Sequence, residues 1–132
     1  MQVASGNEQP SRKGPAERFT GNAWIDVITE GAEPSRVRFY RVAFEPGART
    51  AWHTHPLGQV LHVLAGVGRA QAEGHSVREI HPGDTVRFEP GERHWHGAAP
   101  GSLMVHLALQ EANAEGVATA WMEHVTDAEY NA

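Results

Sequence analysis

Two histidine pairs in this chain are spaced two residues apart, His53 with His55 and His94 with His96. In an extended strand residues i and i+2 project from one face, so each pair would present two imidazoles to the same side. A fifth, His106, alternates with Met104, Ala108 and Gln110, while Leu103, Val105, Leu107 and Leu109 form a purely apolar opposite face. Gln59 opens another run, on the same parity as Leu61 and Val63. Imidazoles gathered inside a small barrel would bind a divalent first-row metal ion. Nine histidines in 132 residues, with no cysteine, point the same way. The lack of cysteine excludes disulfides, thiolate catalysis and sulfur-ligated metal.

The elements that must carry these residues read as short strands. Runs at Trp24 to Ile28, Val37 to Glu45, Thr50 to His55, Gln59 to Ala65, Asp84 to Phe88, His94 to His96 and Leu103 to Glu111 are separated by Gly and Pro turns. Arg69 to Glu73 and Ser76 to Ile80 flank a hairpin turn at Gly74-His75. Strands at this spacing predict an all-β sandwich or barrel. Residues 1–16, rich in Gly, Ser, Asn, Gln and Pro, read as a flexible N-terminal arm, and residues 17–132 as one barrel domain. Thr126 followed by Glu129 predicts a capping box that opens a short C-terminal helical turn.

Composition removes several classes of function. Eleven basic against sixteen acidic side chains give a net charge of −5. A mildly acidic chain lacks the basic surface that nucleic acid or an anionic membrane requires. No apolar run reaches the length of a transmembrane helix, and Met1 to Lys13 contain no apolar leader core, so the expected location is cytoplasmic. No phosphate-binding glycine loop, nucleophile elbow or paired-carboxylate site is present. Strand parity places His62 on the outside of the sheet. His75 and His81 flank turns and read as solvated, and His124 reads as structural. Trp52 has the parity opposite to the metal-binding pair and reads as packing. Arg49 and Arg93 read as solvated surface residues.

The spacing Gly47-x5-His53-x-His55-x3-Gln59-x6-Gly66 resembles the first motif of the cupins, with Gln59 where that motif carries Glu. Gly83-x5-Glu89-x-Gly91-x2-His94 resembles the second, with Glu89 in place of its Pro and Ala98 in place of its closing Asn. Phe44 through Gln59, Glu79 through Asp84, Pro90 through Pro100 and Trp121 through Thr126 look like the manganese-dependent cupin hydroxynitrile lyases of bacteria. That likeness runs from about residue 14 to 130. It implies a single-domain cupin, a double-stranded β-helix or small jelly-roll barrel. It also implies His53, His55, Gln59 and His94 as metal ligands, with His96 and His106 beside the substrate as acid–base groups. Tyr40, Val42 and Gln110 would line the substrate pocket. Gln59 is either a ligand through its amide oxygen or a cavity-lining residue. His96 is either an acid–base group or a hydrogen-bonded core residue.

Three imidazoles and an amide would leave the full +2 charge on the ion. That favours a Lewis acid over an oxygen-activating centre, because no anionic ligand offsets a +3 state. Mn(II) follows from the resemblance; Fe(II), Ni(II) and Zn(II) suit the same donors. The leading expectation is a metal-dependent lyase that cleaves or forms cyanohydrins, aldehyde plus HCN, from a small-molecule substrate. Alternatives are another metal-dependent cupin enzyme, either a sugar-acid isomerase or lyase or a small dioxygenase, and a non-catalytic small-ligand-binding cupin. Exposed strand edges need cover, which predicts a homo-oligomer, a dimer or tetramer.

Overall fold

The computed structural model describes residues 1–132. A single 3₁₀ turn at Gly6–Glu8 precedes the strands. The first four strands are β1 (Arg12–Lys13), β2 (Phe19–Thr20), β3 (Ala23–Glu30) and β4 (Val37–Phe44). The first histidine pair lies at β5 (Arg49–Thr50) and β6 (His53–Thr54), followed by β7 (Gln59–Gly66), β8 (Gly68–Ala72), β9 (Arg78–Ile80) and β10 (Thr85–Phe88). The chain closes with β11 (His94–Ala98), β12 (Met104–Glu111), β13 (Ala120–Trp121) and one helical turn, α1 (Asp127–Tyr130).

Two antiparallel sheets result. One has the order β1-β3-β4-β12-β7-β10. The other runs β13-β6-β11-β5-β2, with β8 paired to β11 and β9 to β8. Their apolar faces meet in a core that includes Val42, Phe44, Leu61, Val63, Phe88, Met104 and Ala108. The fold is therefore all-β, as the turn spacing predicts. Parity also holds along β12 and β7. Met104, His106, Ala108 and Gln110 are buried, as are Gln59, Leu61 and Val63, while His62 faces out and bonds Thr85. His75, His81 and His124 are exposed, and Trp52 packs with Trp95, Val125 and Tyr130.

Some elements differ from the sequence expectation. The single run expected from Thr50 to His55 is broken, because Ala51 N–H donates to Arg18 O at 2.8 Å and Trp52 N–H to Glu123 O at 2.9 Å. The strand thus changes partners between β5 and β6. Arg12 and Lys13 lie within the stretch read as a flexible arm. The structure pairs them antiparallel with Ile25 and Trp24, on the edge of the first sheet. Their tie is backbone hydrogen bonding, which leaves no apolar periodicity to read.

Arg49 and Arg93 are corrections. Arg49 is 5% exposed, not solvated. Its Nη2 donates to Val125 O and to Asp127 Oδ1, both at 2.8 Å, and its guanidinium lies 4.5 Å from the Tyr130 ring centre. Arg93 is partly buried over Trp52, at 4.4 Å, and pairs with Glu73 and Glu123. The cause is the C-terminal segment, which folds back over the second sheet. The expected capping box is present there: Glu129 N–H donates to Thr126 Oγ1 at 3.1 Å, and Thr126 N–H to Glu129 Oε2 at 2.8 Å. Tyr130 Oη donates to Ala98 O at 2.6 Å, at the end of the strand that bears His94 and His96.

Gly97 lies between His96 and Ala98 where a Cβ would meet Ala48 O at 2.3 Å, so only glycine lets β11 approach β5. Gly66 has φ +76° and would place a Cβ 1.8 Å from Leu103 O.

The C-terminal clamp can be measured. Thr126→Ala should cost about 1 kcal/mol, the usual scale for a lost N-cap. Arg49→Gln, which removes the guanidinium's hydrogen bonds and a cation–π contact, should cost about 2 kcal/mol. Urea unfolding of both variants checks this, and equal stability of Arg49→Gln and the parent would show that the clamp contributes nothing.

Candidate metal centre

Five histidines and two glutamines meet between the sheets. β6 and the turn after it supply His53 and His55; β7 supplies Gln59; β11 supplies His94 and His96; β12 supplies His106 and Gln110. All seven are buried. His94 and His53 are directly opposite across the β11–β6 pair. That register brings the two histidine pairs together, although they are about forty residues apart in the chain.

Hydrogen bonds divide the five imidazoles into two kinds. Nδ1 of His53 bonds Ala51 O at 2.8 Å, Nδ1 of His55 bonds Ala118 O at 2.7 Å, and Nδ1 of His94 bonds Glu92 O at 2.8 Å. A carbonyl only accepts, so each Nδ1 carries the proton and each Nε2 keeps its lone pair. This is the arrangement in which backbone partners orient metal-binding imidazoles. The ring centres of the three lie 5.0 Å (His53–His55), 4.3 Å (His53–His94) and 5.4 Å (His55–His94) apart. Nε2 of His55 is buried with no partner. Nε2 of His94 faces Gln59 Oε1 at 3.1 Å, and the Gln59 amide donates to Gln110 Oε1 at 3.1 Å. A bare lone pair therefore faces an amide oxygen, an arrangement that a cation between them would satisfy. The donor set fits a divalent metal.

His96 and His106 are different. Neither Nδ1 has a backbone carbonyl; instead Nδ1 of His96 and Nε2 of His106 face each other at 3.0 Å. The far atoms, His96 Nε2 and His106 Nδ1, are buried without partners. Thr50 Oγ1 accepts the His96 backbone N–H at 3.2 Å and holds this stretch of β11. Ring nitrogens of His53, His94 and His96 come within 4.8 Å of one another, a grouping that omits His55. By ring centres, however, His96 is 5.3 Å from His53 and 5.9 Å from His94, slightly farther than His55 from each.

Burial is the first cause of lowered pKa in all five. It takes His94 to about 3 and His106 to about 4, and it lowers His55 as well. His53 and His96 fall well below the usual range, with repulsion from neighbouring histidines adding to burial. The cluster is thus neutral near pH 7, the form that can accept a metal or a proton. Aromatic rings frame it. Phe88 stacks on His94 at 3.6 Å, Trp121 covers His53 at 4.7 Å, and Phe44 packs on His106 at 5.3 Å.

A cavity of about 460 Å³ opens onto this floor. His53, His55, Gln59, His96, His106 and Gln110 line it, with Tyr40, Val42 and Phe44 from β4. Tyr40 narrows the wall; its hydroxyl donates to Glu30 at 3.1 Å, and burial followed by the Glu30 charge pushes its pKa up to about 12. Every sequence-predicted site residue therefore lies in one cluster. Sequence reasoning missed Ala51, Glu92 and Ala118, which contribute only carbonyls, and also Trp121, Thr50 and the cationic residues Arg12, Lys13 and Arg18 at the mouth. Backbone acceptors leave no side-chain signature, and the mouth is assembled from segments distant in sequence.

Comparison with known proteins agrees with this geometry. The Cupin_2 family, described as Cupin domain, matches residues 40–108. The chain is 58% identical over 130 residues to an (R)-mandelonitrile lyase of Granulicella tundricola, covering 98% of each chain. A crystal structure of a cupin-like protein from Thermotoga maritima is 40% identical, with a TM-score of 0.84 over 90% of each chain. The polyketide cyclase RemF of Streptomyces resistomycificus shares the fold at 15% identity, with a TM-score of 0.75 over 99% of this chain and 91% of that one. Two facing antiparallel sheets, a floor of imidazoles between them and these matches place the chain in the cupin family.

Proposed function

We propose that this protein is a divalent-metal lyase that cleaves or forms cyanohydrins, with His53, His55, Gln59 and His94 as the metal ligands and manganese as the ion. The carrying observation is the set of three buried imidazoles whose Nδ1 protons are fixed on backbone carbonyls, leaving Nε2 free. The lyase reading is supported by the near full-length likeness to the mandelonitrile lyase. Manganese is preferred on family likeness alone; Fe(II), Ni(II) and Zn(II) suit the same nitrogen and oxygen donors. A bound divalent ion would supply Lewis acidity toward a hydroxyl or carbonyl oxygen.

The rest of the chemistry falls to the chain. Tyr40, Val42 and Gln110 shape the cavity wall and orient the substrate over the floor. His96 and His106 form a two-imidazole relay, joined at 3.0 Å and open at both far nitrogens. In cleavage, this pair takes the cyanohydrin hydroxyl proton as the carbon–carbon bond breaks. The bonding electrons leave with cyanide, the carbonyl forms, and the proton passes to cyanide as HCN. Because burial holds both imidazoles neutral, the relay starts as a base. Phe44 packs against the His106 ring and Phe88 against the His94 ring, so apolar surface lies behind the floor.

A homo-oligomer is part of the same reading. The outer face of the first sheet carries Leu109 beside Phe39 and Val60, with Trp24, Ile28 and Leu64 also exposed. An apolar sheet face of this kind marks an interaction surface.

Three experiments test the assignment. His94→Ala should lose most bound manganese while keeping its β-rich circular dichroism, because no cysteine or carboxylate stands ready to replace the imidazole; full metal occupancy would remove His94 from the ligand set. His106→Ala should keep metal and fold but lose roughly a hundredfold in mandelonitrile cleavage, the scale of a lost acid–base group. If turnover is unchanged in both His106→Ala and His96→Ala, the relay is not the proton carrier. Gln59→Glu should hold metal as tightly or more tightly and cleave more slowly, because the added charge weakens the ion's pull on a substrate oxygen. Faster cleavage by Gln59→Glu would overturn the neutral-ligand argument.

A further inference from the structure

The mouth of the cavity has a charge opposite to that of the protein. Over the whole chain acids exceed bases, for a net charge of −5. Around the cavity the charged side chains are Arg12, Lys13 and Arg18 against Glu30 alone. Lys13 is the only lysine in the sequence. Glu30 is engaged by the Tyr40 hydroxyl. Arg36, Arg41, Arg49 and Arg93 pair with carboxylates elsewhere; Arg12, Lys13 and Arg18, like Arg38, Arg69, Arg78 and Arg87, have no such partner.

Two of these cations are held toward the floor. Arg12 is the cross-strand partner of Ile25, a cavity-lining residue, and in an antiparallel pair opposed side chains share a face. The Arg18 guanidinium lies 5.4 Å from the Trp121 ring centre, and that ring covers His53 at 4.7 Å. The Arg18 backbone is also fixed relative to the floor. Its carbonyl accepts from Ala51 N–H at 2.8 Å, and the Ala51 carbonyl accepts from His53 Nδ1 at 2.8 Å. Below these cations the floor consists of histidine and glutamine side chains, with no carboxylate to cancel their field.

We propose that the natural substrate of this cavity carries a carboxylate, held at the mouth by Arg12 and Arg18 while its hydroxyl or carbonyl oxygen reaches the histidine floor. This rests on the reading of the cavity as the substrate site and adds to it the class of substrate. A guanidinium presents paired donors that match both carboxylate oxygens, which a neutral cyanohydrin lacks. The unpaired cations at the mouth also attract such an anion against the overall negative charge of the chain.

The test compares 4-carboxybenzaldehyde with its neutral isostere, 4-carbamoylbenzaldehyde, by calorimetric titration of the manganese-loaded protein at low salt. The carboxylate is remote from the aldehyde, so its contribution is read apart from the metal. The acid should bind about fivefold or more tightly than the amide, the combined scale of two solvent-exposed ion pairs. That preference should shrink in 0.5 M salt, about the screening of surface pairs. It should vanish in Arg12→Gln/Arg18→Gln, with metal content and amide binding unchanged. Equal binding of acid and amide, failure of both to bind, or a preference that survives the double substitution would overturn the proposal. Mandelonitrile cleavage is measured separately. A carboxylate preference without cleavage would sink the lyase reading and leave this one standing, while cleavage without the preference would do the reverse.

Discussion

Everything in this structure depends on keeping five imidazoles neutral and oriented inside a small apolar core. A buried polar group without a partner costs about 1–3 kcal/mol, and a buried charge costs more. The chain meets this cost in two ways. For His53, His55 and His94 it places a backbone carbonyl 2.7–2.8 Å from Nδ1, which fixes both the tautomer and the ring. For His96 and His106 it joins the rings to each other. The atoms left over, Nε2 of His55 and His96 and Nδ1 of His106, are buried without partners and belong to residues that line the cavity.

The two-sheet architecture makes that arrangement geometrically available. β11 lies centrally in the second sheet, paired with β5, β6 and β8, so its inward histidines are fixed from both sides. β12 occupies the corresponding place in the first sheet, between β4 and β7. His106 therefore faces His96, and Gln110 lies beside Gln59 across the β12–β7 pair, from paired strands rather than from loops, with the one register irregularity of that pair falling between Val105 and His106. Rigid central strands hold side chains to tighter geometry than loops do, which suits a site that needs several donors at once. The C-terminal segment adds a second layer: Arg49, Trp52 and Tyr130 brace β5 and β11 from outside.

How far the sequence revealed this follows from the physics of each signal. Period-two alternation requires only one buried face, so the inward parity of Met104, His106, Ala108 and Gln110, and the outward turn of His62, could be read directly. The motif spacings single out His53, His55, Gln59 and His94 and imply the fold. Three things were not legible. The break between β5 and β6 is set by hydrogen bonds to Arg18 and Glu123, both remote in sequence. The burial of Arg49 depends on a segment nearly eighty residues later folding over it. The carbonyls that set the tautomers belong to Ala51, Glu92 and Ala118, whose side chains carry no chemical signal.

The electrostatic layout links these observations. Neutral imidazoles and a neutral Gln59 are a weak cage for a divalent ion in the sense that they cancel none of its charge. A carboxylate at position 59 would lower the field that an ion projects into the cavity. The mouth compounds the choice of Gln: Arg12 and Arg18 have no acidic partners, and Glu30, the one acid on the lining, is tied to Tyr40. A cavity built this way would be positive from floor to rim once a metal is bound, within a chain that is negative overall. Such a field draws an anion in and stabilises negative charge developing on an oxygen or on a departing cyanide. The same field would hold an anionic product, so release should grow easier as the product takes up a proton. On the proposed reading, the His96–His106 pair, joined at 3.0 Å, would deliver that proton, which would give the histidine pair and a neutral ligand set a shared physical reason.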